Sequence, residues 1–219
     1  MGDFKIISFT ELICGDAACH QNSGALHESS VPSNCVYIQD VYGKLWKTED
    51  WDKSVKPNAI VVFAKEAKFR IALNKQLSMD SISSKCTDPL ENYVTAIKDE
   101  DAAMVDYDGA GNTAKILQLK PSTGYAAGYC NSFTFPDGKT KGYLPSLGQL
   151  YLAYQNKVAI NAALAVCGGT VMAESWYWSS TFRGLLVDVR RCWGLDWSDG
   201  RISSSGLDYD KYVRPFADF

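Results

Sequence analysis

The spacing of apolar residues changes twice along this chain, and that change limits the fold more than any other feature. From Val36 to Leu73 the pattern is that of short strands. Val36-Tyr37-Ile38 and Lys44-Leu45-Trp46 flank a turn at Tyr42-Gly43, and Ala59-Ile60-Val61-Val62-Phe63 and Phe69-Arg70-Ile71-Ala72-Leu73 follow. Phe4 to Phe9 reads as an earlier strand, separated by a polar loop from Gly15 to Asn34. In the middle the period becomes helical. Asn112 or Thr113 is expected to cap a segment through Ala114, Ile116, Leu117 and Leu119 that Pro121 stops, and a second short helix is expected over Tyr125 to Cys130. Ser146 follows Pro145 and precedes Gln149 by three residues, the spacing of a capping box. Behind it Leu147, Leu150, Tyr151, Tyr154, Val158 and Ala162 share one face, and Gly168-Gly169 supply the C-cap. From Trp176 to Phe219 the strand pattern returns. Strands, then helices, then strands predict an α+β fold rather than a parallel α/β sheet.

A chain of 219 residues, 46% hydrophobic and 21% charged, can bury a core without disulfides or metals. Its net charge of −3 argues against nucleic acid as a partner, because phosphate binding needs a basic face. No apolar run approaches the ~20 residues that span a bilayer, so no membrane span is expected. Met1-Gly2-Asp3-Phe4-Lys5 lacks the apolar core of a secretory signal, which leaves two expectations, a mature chain already trimmed of its leader or export as part of a larger assembly. A boundary near residue 57 would divide an N-terminal β/loop extension, residues 1–57, from a domain over residues 58–219.

Few residues suit catalysis or metal binding. His20 and His27 lie in a polar stretch, which gives a Ser-His-Asp triad or a histidine metal site little to draw on. Cys14, Cys19, Cys35, Cys86, Cys130, Cys167 and Cys192 contain no CxxC pair, and their odd number excludes a complete disulfide framework. Cys14, Cys19 and His20 lack a fourth zinc ligand at suitable spacing. Asp106 to Asn112 resembles a calcium loop only faintly, since Ala110 stands where an oxygen ligand is needed and Leu117 where the bidentate Glu belongs. A turn leading into a helix cap is the simpler reading. Asp99-Glu100-Asp101 reads as a solvated acidic face, and Glu174 has no partner carboxylate for acid–base work. No cofactor, metal or catalytic residue is therefore expected.

The C-terminal strands carry the informative pattern. In Trp193-Gly194-Leu195-Asp196-Trp197, alternation turns Trp193, Leu195 and Trp197 to the core and Gly194 and Asp196 outward. Ser198-Asp199-Gly200 supplies a turn, and Arg201-Ile202-Ser203 returns with Ile202 inward. The hairpin is thus expected to present Gly194, Asp196, Arg201 and Ser203 on one exposed face. The composition around it is unusual. Lys, Glu, Gln and Met account for 33 of the 219 residues, yet the 32 positions from Ser179 to Asp210 contain none of them. Chance would place about five there. Four of the six arginines, Arg183, Arg190, Arg191 and Arg201, fall in this window. Exposed strands ordinarily carry Lys and Glu, whereas Arg, Asp, Ser and Gly with scattered Leu and Val are closer to a binding surface.

Several segments together resemble one family. Gly142-Tyr143-Leu144-Pro145-Ser146-Leu147-Gly148-Gln149, the helix through Asn161, Trp176-Tyr177-Trp178-Ser179-Ser180-Thr181 and Tyr212-Val213-Arg214-Pro215-Phe216 are similar to the C-type-lectin-fold variable proteins of diversity-generating retroelements, found in gut Bacteroidales and their phages. The resemblance covers roughly residues 105–219. It implies a C-type lectin-like fold in the C-terminal half, with the N-terminal mostly-β segment as an extension. In that family, template adenines, typically in AAY codons, are mutated during reverse transcription. The resulting NNY codons exclude Lys, Glu, Gln, Met and Trp, and only Trp193 and Trp197 depart from that set here. The resemblance implies a variable surface comprising Arg183, Gly184, Val187, Asp188, Arg190, Arg191, Gly194, Asp196, Arg201, Ser203, Ser204, Ser205 and Gly206. It implies binding of a protein or glycan ligand on a cell surface, in a virion-associated or extracellular setting, without catalysis. Calcium-dependent sugar binding is not implied, because Trp197-Ser198-Asp199 matches its Trp-Asn-Asp element only in part and Glu-Pro-Asn is missing.

Two other readings fit parts of the pattern. A surface or fimbrial adhesin of fixed specificity would also carry an exposed recognition patch. Formylglycine-generating enzymes use the same fold and rely on a cysteine pair. Cys167 and Cys192 lie in the corresponding half of the chain, but their places at a helix end and in a strand predict buried thiols with no low-pKa setting.

Overall fold

The computed structural model describes residues 34–74, 77–79, 94–119, 121–186 and 189–219. The expected strand at Phe4–Phe9, both histidines, Cys14, Cys19, Cys86, Val187 and Asp188 lie outside the described residues. The described chain is an α+β structure with two five-stranded, mostly antiparallel sheets and five helices.

The first sheet has the order β10-β4-β3-β1-β2, built from β1 (Asn34–Asp40), β2 (Leu45–Trp46), β3 (Pro57–Ala64), β4 (Lys68–Ala72) and the C-terminal β10 (Phe216–Asp218). Its centre is β3, whose continuous run Ala59 to Phe63 is buried on both faces. Ile60 and Val62 join the main core, and Val61 and Phe63 join a smaller cluster with Tyr37. Pro57 stands at the first position of the strand, where its missing N–H costs least. The turn after β1 is built by Asp40, whose carboxylate accepts from the Tyr42 and Lys44 N–H groups and from Trp46 Nε1. β1 pairs with β3 from Asn34↔Ala64 to Asp40↔Pro57, so residue 57 falls inside this sheet.

Five helices follow. They are α1 (Glu100–Met104), α2 (Gly109–Leu119), α3 (Ala126–Ser132), α4 (Leu147–Gln155) and α5 (Lys157–Val166). Asp99 caps α1 by accepting from the Ala102 N–H at 3.0 Å. α2 begins before Asn112, because the Asp108 carboxylate accepts from the Gly111 N–H at 2.9 Å and the Asp108 carbonyl from the Asn112 N–H. The capping box at Ser146 and Gln149 is present in both directions. The single helix expected from Ser146 to Gly168 is instead two. Asn156 leaves helical geometry at φ −104° and ψ 15°, and its side-chain amide donates to the Leu152 carbonyl at 2.8 Å. The bend re-aims the second half. Ile160, Ala163 and Leu164 are buried, while Val158 is 85% exposed and Ala162 is exposed, contrary to the shared face expected for them.

The second sheet has the order β5-β9-β6-β7-β8, from β5 (Leu77–Met79), β6 (Trp176–Leu186), β7 (Val189–Asp196), β8 (Ile202–Gly206) and β9 (Lys211–Val213). One face contributes Tyr177, Trp193 and Leu195, with Trp197 just beyond β7, to the main core shared with the first sheet, α4 and α5. Trp178, Phe182, Cys192 and Val213 belong to a second core with Ile116 of α2, Ala126 and Cys130 of α3, and Val94. Both faces of this sheet are therefore covered over much of its length.

β9 and β10 are consecutive in sequence but belong to different sheets, and Arg214 occupies the crossing. Its side chain is buried, and Nη1 donates to the carbonyls of Ala72 and Leu73, each at 2.9 Å. Nη2 donates to the carbonyls of Thr170, at 2.7 Å, and Val171. Burial lowers its pKa to about 10, which leaves it cationic at neutral pH. Among the described residues no helix is long and apolar enough to cross a membrane.

Candidate functional site

The expected surface lies on β6, β7 and β8. Strand alternation sets the inward residues as predicted: Trp193, Leu195 and Trp197 are buried in the main core. Trp193 Nε1 donates to the Ile97 carbonyl at 2.7 Å, which fixes the indole against the segment before α1.

The outward half of that expectation needs correction. Gly194 is buried, because the opposite face of β7 is also covered. A Cβ on Gly194 would stand 2.6 Å from the Tyr177 carbonyl oxygen and 3.4 Å from Lys211 Nζ. The Lys211 ammonium lies 4.1 Å from the Trp176 ring centre and 4.8 Å from that of Trp178. Burial lowers the Lys211 pKa to about 8 in spite of the attraction of Asp196. Asp196 is also buried, at 6% exposure. Its Oδ1 accepts from the Ser198 N–H at 3.0 Å and from Ser198 Oγ at 2.7 Å, and its Oδ2 faces Arg201 Nη2 at 3.5 Å. Burial alone would raise its pKa, but the Ser198 hydrogen bonds and the Arg201 charge outweigh that and hold it below the ordinary value. Asp196 therefore builds the turn through Ser198-Asp199-Gly200, and Gly200 completes that turn with φ +80°.

The other expected positions divide by exposure. Arg201 and Ser203 are exposed, as alternation requires, and Arg201 Nε pairs with Asp199 at 2.7 Å. Ser204 and Ser205 are half-buried, and Gly206 is buried. Arg183 is half-buried, with its guanidinium 5.8 Å from the Trp193 ring centre. Gly184 is buried with φ +101°, where a Cβ would stand 3.0 Å from that of Ala96. Arg190 and Arg191 are half-buried, and Arg191 Nη1 donates to the Ser204 carbonyl at 2.7 Å. Exposed residues thus cluster in two places, the far end of the β6–β7 hairpin and the β8 strand with its preceding turn.

Sequence reasoning missed the apolar part of this surface. Leu185, Leu186 and Val189 are 48%, 40% and 46% exposed at the end of the hairpin. The signal was available: two adjacent leucines break the alternation that a strand with one buried face requires. Tyr209, after β8, is 62% exposed, whereas Phe182 is buried.

The remaining candidates have structural roles. Asp106 Oδ2 accepts from Asn112 Nδ2 at 2.8 Å and from Thr181 Oγ1 at 2.7 Å, tying the loop before α2 to β6. Glu174 pairs with Lys157 at 2.5 Å. Among the described residues, no group of three or more His, Cys, Asp or Glu side chains is placed to hold a metal ion. Cys130 and Cys192 are buried, Cys167 is half-buried at the end of α5, and burial raises the thiol pKa of both Cys130 and Cys167.

No protein-family model matches the chain, and no curated protein or solved structure resembles it at a significant level.

Proposed function

We propose that this chain is a ligand-binding protein on a C-type lectin-like fold, with a C-terminal surface diversified by a retroelement and no catalytic role. The observation that carries the reading is the composition of residues 179–210, which lack Lys, Glu, Gln and Met altogether. The two tryptophans that depart from an NNY-encoded set, Trp193 and Trp197, are core residues at 5% and 0% exposure. The exposed positions of the window, among them Leu185, Leu186, Val189, Arg201 and Ser203, all belong to that set. A rigid framework of buried aromatics beneath replaceable side chains limits the entropy lost on binding. The raised thiol pKa of Cys167 works against a thiolate-based oxidase. The chain would then act on a virion or at a cell surface, against a protein or glycan.

Deep sequencing of the locus in a growing population tests this. Substitutions confined to codons 179–210, at adenines of a nearby template repeat, are expected. A window as constant as its flanks, with no template repeat or reverse transcriptase nearby, would replace diversification with an adhesin of fixed specificity.

A further inference from the structure

Among the described residues β8 is an edge strand, with β7 on one side only. Its register decides where its main-chain groups point. Asp196 donates its N–H to the Arg201 carbonyl at 2.8 Å, in the register that pairs Leu195 with Ile202 and Gly194 with Ser203. Hydrogen-bonded and non-hydrogen-bonded pairs alternate in an antiparallel ladder. Ser203 and Ser205 therefore bond to β7, while the N–H and C=O groups of Ile202, Ser204 and Gly206 point away from it. Gly206 is buried beside Asp208 and Tyr209, which leaves Ile202 and Ser204 on the open edge. The Ser204 carbonyl accepts from Arg191 Nη1 at 2.7 Å, and the Gly206 carbonyl from the Tyr209 N–H at 3.4 Å. The Ile202 and Ser204 N–H groups and the Ile202 carbonyl bond to no other described residue.

Edges of this kind are normally blunted by Lys, Pro, a bulge or a covering segment. β8 reads Ile202-Ser203-Ser204-Ser205-Gly206 and has neither Lys nor Pro. The other described edges are shorter or covered: β2 has two residues, β5 has three, and β10 is bridged by Tyr143. Three serines offer little side-chain area for anchoring a ligand. Whatever is held here must take most of its affinity from the main chain, and main-chain pairing persists when the side chains along β8 change. Two arginines flank the edge. The Arg201 side chain is 70% exposed but already pairs with Asp199 and faces Asp196, and Arg191 donates to the Ser204 carbonyl, so neither guanidinium is left for a ligand charge.

We infer that β8 accepts an extended segment of a protein ligand by strand addition, through the open main-chain groups of Ile202 and Ser204. This rests on the recognition reading above and narrows its ligand class from protein or glycan to extended polypeptide. Main-chain bonds supply affinity common to all variants, and the side chains at Ser203 and Ser205 select among sequences.

The test pans a random linear peptide library on phage against the full chain, then titrates synthetic versions of the enriched peptides. Enriched peptides are expected to slow amide exchange at Ile202 and Ser204 in the unmutated protein, with Ser203, Ser205 and the buried Gly206 unchanged. Ser204→Pro removes an outward N–H that makes no bond to β7, and should weaken binding about tenfold, the worth of one such hydrogen bond. Enriched peptides that leave those two amides unprotected would overturn strand addition while leaving recognition at this surface intact. Failure to enrich any peptide would overturn the polypeptide assignment and favour a glycan. Codon sequencing decides the diversification reading separately, and the exchange measurement stands even if the proline variant misfolds.

Discussion

Gly194 offers the sharpest test of how the candidate surface is built. Alternation along β7 turns it away from the tryptophan core, which would make it a free position on the binding face. The structure instead places it opposite Trp178, beneath Lys211. A Cβ there would meet the Tyr177 carbonyl at 2.6 Å, against about 3.4 Å for an ordinary contact. Relief needs roughly 0.8 Å of movement by the backbone of β6, which is held between β7 and β9. Overpacking of this kind costs about 1–3 kcal/mol. For a chain of this size each kcal/mol lowers Tm by about 2–4 °C, so Gly194→Ser should unfold about 2–12 °C below the wild type. The serine hydroxyl also enters a covered site, which adds to the cost. Ser203→Asp, at an exposed position on the neighbouring strand, should stay within about 0.5 kcal/mol. Thermal and urea unfolding followed by circular dichroism measure both. Equal stability of the two variants would refute the argument and return Gly194 to the replaceable surface.

Three further outcomes are expected. Arg214→Lys should cost about 3 kcal/mol or more in urea unfolding, because an ammonium cannot reproduce the fork that reaches the carbonyls of Ala72, Leu73 and Thr170; a loss below about 1 kcal/mol would show that the fork is dispensable. Lys211, with a folded pKa of about 8 against 10.5 for the ordinary side chain, binds fewer protons folded than unfolded between those values, so its contribution to stability rises with pH in that interval. Relative to Lys211→Met, the wild type should gain stability as pH is raised from 8 towards 9.5; parallel pH profiles would contradict the buried amine. Cys130 and Cys167 should label slowly with a thiol reagent at pH 7 in the folded protein and readily in urea, followed by peptide mass mapping. Fast labelling of Cys167 in the folded state would revive the redox reading.

What could be read from sequence was local. The Ser146–Gln149 capping box, the Gly43 and Gly200 turns, and the inward tryptophans each depend on neighbours a few residues away, and each is present. The break at Asn156 was not legible, since Gln155-Asn156-Lys157 contains neither Gly nor Pro and the apolar pattern runs on through it. The helix turns there because Ile160 and Leu164 are drawn to the core below the first sheet, an influence from outside the helix. The candidate surface failed in the same way. Alternation identifies the side of the sheet on which Gly194 and Asp196 lie, but not that Lys211, from a strand two positions away, covers that side. Likewise β10 finds its partner β4 across the whole chain, in a register from Phe216↔Ile71 to Asp218↔Phe69 that no local pattern announces.

The position of that last strand bears on how the protein is made. β9, Arg214 and β10 are synthesised after the strands they complete: β10 closes the first sheet beside β4, and Arg214 carries the bonds to Ala72, Leu73 and Thr170. Tyr143 also waits for this segment, since its hydroxyl donates to Asp218 at 2.8 Å. The early strands must therefore remain unfinished until this segment has left the ribosome, although nascent domains ordinarily fold from the N-terminus onward. A frameshift anywhere between codons 179 and 210 would remove the whole clasp and leave β4 without its neighbour. β10 and Arg214 thus act as a reading-frame check at the level of the polypeptide: only chains translated in frame through β6, β7 and β8 can close the first sheet.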